Sequence, residues 1–213
     1  MILKGGNLSP KLSSAVGKAQ TVYETIASST PDFPLLKYGL RRSQLFVASF
    51  HLNHDFHGSI IHLISAGGPC DGAAFALLRP VVESYIKGMW LFYCADDTKI
   101  ERTIADKSVR TSLEIMMNEV DKKHGHLHFS QIRSNLPRLH SFTHGGFQQI
   151  VRRFDAGGGW GSSYTDEEKR SLLVQASWTA TAFARMYCLN AEGPESASRK
   201  KIEDSYEANL RSF

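Results

Sequence analysis

The chain has 213 residues, of which 42% are hydrophobic, so it is long enough to bury one core. Its formal charge of +4 and pI near 9.0 are a mild basic excess, which alone does not indicate a class of ligand. Its three cysteines are far apart and form no CxxC pair, which favours reduced thiols over a disulfide framework.

No membrane span or secretion signal is predicted. The N-terminal sequence lacks an apolar run followed by a small-residue cleavage site, so we expect a cytoplasmic protein. The most hydrophobic window, Gly72 to Ala95, approaches the length of a membrane span but contains Arg79, Glu83 and Lys87. Because three ionisable groups are costly in lipid, we predict that this window is the central helix of a bundle.

Three helices are predicted in the first half of the chain. Apolar residues at helical spacing predict the first over Ser9 to Ser28 and the second over Leu35 to Ser65. Glycines at the end of the second helix provide its termination signal. The third helix follows, with Asp71 as its expected N-cap and a kink at Pro80.

Further helices are predicted in the second half. A fourth runs from Asp96 and Asp97, which provide its N-cap, to about Asp121. A shorter helix is expected from Pro137 or Arg138 to Phe154. Thr165 to Glu168 has the sequence of a capping box, which opens a last bundle helix that ends at Asn190.

These elements predict an all-α fold, an up-and-down bundle of about five to seven helices, because no segment alternates like a strand. We assign residues 1–34 to an N-terminal helix and turn packed on the bundle, and residues 35–190 to the bundle domain. Residues 191–213 form a polar tail, which is either frayed or an additional solvated helix.

Residues 126–154, here called the basic segment, contain no Asp or Glu but carry four arginines and four histidines. Such a composition attracts anions. Within it, Pro137 to Gly146 places Arg138, His140 and His144 together at an expected helix start. This stretch is the best candidate for a functional site in the sequence.

A second polar feature lies on the third helix, where Arg79, Glu83 and Lys87 are spaced four apart and share one face. Glu83 can pair with either base. The group is either an internal ion pair or exposed face, or one wall of a cleft near Pro80. In the second case we expect Arg79 or Glu83 within hydrogen-bond reach of His140 or His144.

A metal site is an alternative for the histidines. His140 and His144 are four residues apart and could bind a divalent metal if a histidine or Asp55 of the second helix supplied a third ligand. This pattern is similar to the metal-binding four-helix bundles of the DinB-like family. The main prediction includes no metal and no cofactor.

The spacing of arginine and histidine gives a further resemblance. Five residues separate Arg138 from His144, and six separate Arg133 from His140. Both spacings fit the R-x(4–6)-H pattern of HEPN domains, a family of bacterial helical bundles. The chain resembles this family also in size, in helix content and in the segment Leu78 to Tyr85.

The resemblance implies a homodimer in which the motif residues of two subunits meet at a cleft and bind or cleave RNA without metal, in a stress or phage-defence role. Histidine would move the 2′-hydroxyl proton, and arginine would stabilise charge on the scissile phosphate. The candidate catalytic residues are then Arg138, His140 and His144. The candidate substrate-binding residues are Arg79, Glu83, Arg133 and Arg152.

Inactive HEPN-like domains also exist. A non-catalytic dimerising module that binds a partner protein or a small anion through the same cleft is therefore the alternative, and the sequence does not decide whether the chain is an enzyme.

Overall fold

The computed structural model describes residues 8–30, 39–68, 70–124, 129, 132–134, 151–152, 162–192 and 196–210. These residues confirm the predicted all-α bundle and contain no strand. The helices are α1 (Pro10–Ser29), α2 (Leu40–Ala66), α3 (Asp71–Tyr93), α4 (Asp97–Ile104), α5 (Leu113–His124), α6 (Asp166–Glu192) and α7 (Ala197–Leu210).

Helices α2 and α3 form the central antiparallel pair of the bundle. Arg42 near the start of α2 donates to the carbonyl of Leu91 near the end of α3, at 3.2 Å. Further along, Asn53 Nδ2 donates to the carbonyl of Val81 at 2.7 Å. Because residues later in α2 contact residues earlier in α3, the two helices run in opposite directions.

An aromatic core joins this pair to α6. The ring of Phe46 lies 4.4 Å from that of Phe92, and the ring of Phe50 lies 4.5 Å from that of Tyr187, centroid to centroid. Phe183 meets the rings of Phe46 and Phe50 edge-on. All five rings are buried, and burial of such large apolar side chains stabilises the fold.

Close packing in this core explains one glycine. A Cβ atom at Gly88 of α3 would lie 2.6 Å from Cζ of Phe183 and 2.8 Å from Cβ of Ser49. Both distances are too short for a side chain, so α2 and α6 approach α3 closely only because residue 88 is glycine.

The predicted fourth helix is wrong, because the chain forms two helices there. Helix α4 ends in a Schellman turn, in which the amide of Asp106 donates to the carbonyl of Thr103 and that of Lys107 to the carbonyl of Arg102, at 3.1 and 2.8 Å. Asp106 has the left-handed backbone of this turn, with φ +52°. Helix α5 then begins after Ser112, whose Oγ accepts from the amide of Ile115 at 3.2 Å.

The expected capping role of Asp71 is also wrong. Asp71 is the first helical residue of α3, and Cys70 precedes it as an N-cap without a side-chain hydrogen bond. The Asp71 carboxylate is buried instead, where Lys169 Nζ lies 2.7 Å away and Ser162 Oγ donates to it at 2.6 Å. The carboxylate therefore connects the start of α3 with α6, through Lys169, and with the segment that precedes α6, through Ser162.

Two local signals of the sequence are confirmed. Asp96 caps α4 by accepting from the amide of Lys99 at 2.9 Å. Thr165 and Glu168 form a reciprocal capping box at α6, in which each side chain accepts from the other residue's amide.

The polar tail contains helix α7, which packs against α1 and α6. Ile202 and Leu210 are buried, and Ser205 Oγ donates to Thr25 Oγ1 of α1 at 3.1 Å. Arg185 of α6 pairs with Glu203 at 3.1 Å. Of the two alternatives for the tail, the structure shows the additional helix, with an apolar face turned to the bundle. No helix in the described ranges is long and apolar enough to cross a membrane.

Candidate functional site

The three candidate catalytic residues, Arg138, His140 and His144, lie outside the described residues. Their roles stay predictions, as does the expected approach of His140 or His144 to the polar face of α3. The same holds for the expected helix from Pro137 or Arg138 to Phe154, of which only residues 151–152 are described.

The polar face of α3 is a three-residue ion-pair network. Arg79 Nε donates to Glu83 Oε1 and Lys87 Nζ donates to Glu83 Oε2, both at 2.6 Å. Partial burial alone would raise the pKa of Glu83, but the hydrogen bonds and positive charges of Lys87 and Arg79 outweigh it and lower the pKa. Glu83 is therefore an anion that holds two cations in place, with each of its oxygens engaged.

This network lines a pocket of about 450 Å³ between α3 and residues 103–116. Arg79 and Glu83 thus border a cavity, and the described part of its opposite wall is the connection from α4 to α5. The lining residues are Arg79, Glu83, Lys87, Trp90, Leu91, Thr103, Asp106, Lys107, Val109, Thr111, Leu113 and Met116.

Trp90 forms a fixed part of the pocket wall. Its side chain is 1% exposed, and its Nε1 donates to Glu119 Oε2 at 2.5 Å. Lys99 Nζ lies 5.2 Å from the ring centroid, a cation–π distance. Because the ring is covered and its N–H is engaged, Trp90 supports the pocket but offers no open face for stacking.

Asp106 and Lys107 form the charged edge of the pocket opposite α3. Both are exposed, and across the described residues neither side chain has an oppositely charged group within 4 Å. The Schellman turn fixes the backbone of both residues, and Arg102 strengthens it by donating to the carbonyl of Ser108 at 2.8 Å. These two residues were not candidates from the sequence, because the apolar spacing there predicts one continuous helix.

Arg133, near the start of the basic segment, is paired with α5. Its Nη2 lies 2.6 Å from Asp121 Oδ2 and 2.9 Å from Asn118 Oδ1. Nearby, the buried ring of Phe129 lies 5.6 Å from that of Tyr85 on α3. These contacts attach this end of the basic segment to the bundle.

Arg152, near the other end, is paired with the capping box of α6. Its two terminal nitrogens contact the two oxygens of Glu168 at 2.5 and 3.1 Å, and its guanidinium lies 5.4 Å from the ring of Tyr164. Carboxylates outside the segment therefore match the charges of Arg133 and Arg152. Substrate binding by these two arginines stays a prediction, with less positive charge available for it.

The histidines of α2 do not assemble a metal site in the described part of the chain. His57 is fully buried, hydrogen-bonded to Ser177 Oγ at 2.9 Å, and burial lowers its pKa to about 3. His54 is stacked on Tyr23 at 4.0 Å, and burial lowers its pKa to about 4. Among the described residues, no three His, Cys, Asp or Glu side chains lie where they could hold a metal.

No curated protein and no solved structure matches this chain. One family model does, over residues 50–212, a range that contains the whole pocket and the whole basic segment. The chain belongs to this family, DUF6988, which is described as a family of unknown function.

Proposed function

We propose that this protein is a HEPN-like, homodimeric RNA-binding protein of a stress or defence system, in which the basic segment contacts the RNA backbone. The observation that carries the proposal is the absence of any carboxylate from residues 126–154. Clusters of cationic side chains bind RNA phosphates, because binding releases condensed counterions.

The contacts at the ends of the segment support this proposal. The ion pair of Arg133 with Asp121 and that of Arg152 with Glu168 anchor both ends on helices of the bundle. A binding segment held on rigid elements loses less conformational entropy when it binds. Since these two arginines are engaged, Arg138 and His144 carry most of the proposed phosphate contact.

The catalytic form of the proposal is metal-independent cleavage of RNA. His144, aided by His140, accepts the proton of a 2′-hydroxyl, whose oxygen attacks the adjacent phosphorus and forms a new P–O bond. The bond from phosphorus to the 5′-oxygen breaks, and this oxygen leaves with the proton that His144 had accepted. Arg138 stabilises the negative charge that develops on the phosphate, and a two-fold dimer doubles the site.

RNA binding is tested by fluorescence anisotropy with a labelled single-stranded RNA. We expect the Arg138→Ala/His144→Ala variant to bind about tenfold more weakly than the wild type, because phosphate contacts are lost. The control is Lys200→Ala/Lys201→Ala, which removes two exposed charges from α7 and should change the affinity less than about twofold. No RNA binding by the wild type, or equal losses in both variants, would overturn the proposal.

Cleavage is tested separately, with total RNA and excess EDTA. The catalytic form predicts products that end in a 2′,3′-cyclic phosphate and that disappear with His144→Ala. Specific RNA binding without any cleavage would reject the catalytic form and leave RNA binding as the function.

A further inference from the structure

We propose that the pocket between α3 and residues 103–116 binds a small organic anion, namely a monocarboxylate with an apolar body. This inference does not depend on RNA binding, because the groups that carry it lie in the described bundle and not in the basic segment.

The size and walls of the pocket fit such a ligand. Its volume of about 450 Å³ lies in the range usual for sites that bind small molecules. Leu91, Val109, Leu113 and Met116 provide apolar surface from three separate elements, α3, the connection and α5. An aliphatic or aromatic body would bury this surface and its own on binding.

The charges of the pocket favour a single negative charge on the ligand. Arg79, Lys87 and Lys107 oppose the two carboxylates of Glu83 and Asp106, so the described residues of the lining carry a net charge of +1. Glu83 is engaged by Arg79 and Lys87, which leaves Lys107 as the cation with no carboxylate within 4 Å in the described ranges. We therefore assign the carboxylate of the ligand to Lys107, assisted by Lys87.

The turn that presents Lys107 is built in an unusual way. Asp106 has φ +52° at the position after the helix where glycine is the usual residue. A strained residue in the wall of a cavity often has a functional reason. Here its carboxylate would repel a second negative charge on the ligand, which selects a monocarboxylate over a phosphate monoester.

A nucleotide is a poorer fit for the same site. Among the described lining residues Trp90 is the aromatic one, and its covered ring offers no face on which a base could stack. The like charge of Asp106 also opposes a phosphate dianion.

Isothermal titration calorimetry with octanoate tests the proposal. We expect saturable binding of one octanoate per chain, and little or no binding of acetate, octan-1-ol or adenosine monophosphate. Acetate lacks the apolar body, octan-1-ol lacks the charge, and the nucleotide carries a second negative charge.

Four variants locate the site. Lys107→Ala should weaken octanoate binding about fivefold, and Leu113→Trp, which fills the pocket, should abolish it. Asp106→Gly keeps the turn and should tighten binding about threefold, because a like charge is removed. The control Lys122→Ala removes an exposed charge of α5 outside the pocket and should have no effect.

Circular dichroism establishes that each variant is folded before titration. Absence of octanoate binding to the wild type would overturn the proposal. Wild-type octanoate affinity in both Lys107→Ala and Leu113→Trp would also overturn it. RNA affinity measured on the same Lys107→Ala protein should stay at the wild-type value, so the two proposals fail separately.

Discussion

His57 is a titratable residue that the fold buries completely. Its ring contacts Ser177 and the edge of Tyr23, and burial lowers its pKa to about 3. In the unfolded chain the pKa is about 6.5, so below that pH the unfolded state binds a proton that the native state does not. The stability that neutral His57 allows above pH 6.5 is therefore lost progressively as the pH falls towards 3.

We predict that the free energy of unfolding falls by about 2 kcal/mol between pH 7 and pH 5 on account of His57. Urea titrations at both pH values measure this difference. His57→Gln should lower the free energy of unfolding at both pH values, and it should reduce the difference between pH 7 and pH 5 by about 2 kcal/mol. His62→Gln, at an exposed position of the same helix, should leave that difference unchanged. An unchanged difference in His57→Gln would show that His57 does not contribute to the acid sensitivity.

Among the secondary-structure elements, the turn between α4 and α5 is where the structure departs most from the prediction. Its Schellman hydrogen bonds require a left-handed residue at position 106, and aspartate adopts that backbone less readily than glycine. We predict that Asp106→Gly raises the free energy of unfolding by about 1 kcal/mol, measured with urea. Asp106→Ala is the matched variant, and it should be no more stable than the wild type. A loss of stability in Asp106→Gly would contradict the inference that aspartate strains this turn.

The packing of α3 against α2 and α6 gives a second prediction for an element. Gly88→Ala places a methyl group against Phe183 and Ser49 and should cost about 2 kcal/mol of unfolding free energy. Gly17→Ala is the control, because a Cβ there meets nothing within 4 Å and should stabilise α1 by about 0.5–1 kcal/mol. Thermal unfolding of the two variants should therefore shift in opposite directions. Equal shifts would mean that residue 88 is not closely packed.

Helix ends were predictable from sequence where a local signal sets them. The capping box at Thr165 and the N-cap at Asp96 work through hydrogen bonds within three residues, and both are confirmed. The break after Ile104 was not predicted, because apolar residues continue at helical spacing on both sides of it. Ser112, which caps α5, was the local signal that could have indicated the break.

In the molecule as a whole, the sequence predicted an all-α bundle but not how its helices enclose a pocket. The spacing of Arg79, Glu83 and Lys87 was enough to predict their pairing, since residues four apart share a helix face. Lys107 lies across the pocket from these three residues because α5 packs against α3. This packing is nonlocal, so no local sequence pattern predicts it. The burial of Asp71 against Lys169 is nonlocal for the same reason.

The ion pairs of the bundle also bear on the proposed RNA binding. Arg133 and Arg152 are ion-paired with carboxylates of the bundle. These two arginines therefore contribute less unpaired positive charge than the sequence of the basic segment suggests. On this account, RNA affinity depends on a few residues of the segment and not on the net charge of +4.

The most direct test of this account is the salt dependence of RNA affinity, measured by anisotropy from low to moderate salt. For single-stranded RNA, each lost phosphate contact should reduce the slope of log Kd against log salt by about 0.7. We predict that Arg138→Ala reduces the slope by about that amount and weakens binding, whereas Arg152→Ala changes the slope little. Equal slopes and affinities for wild type and Arg138→Ala would contradict the proposal that the basic segment binds RNA.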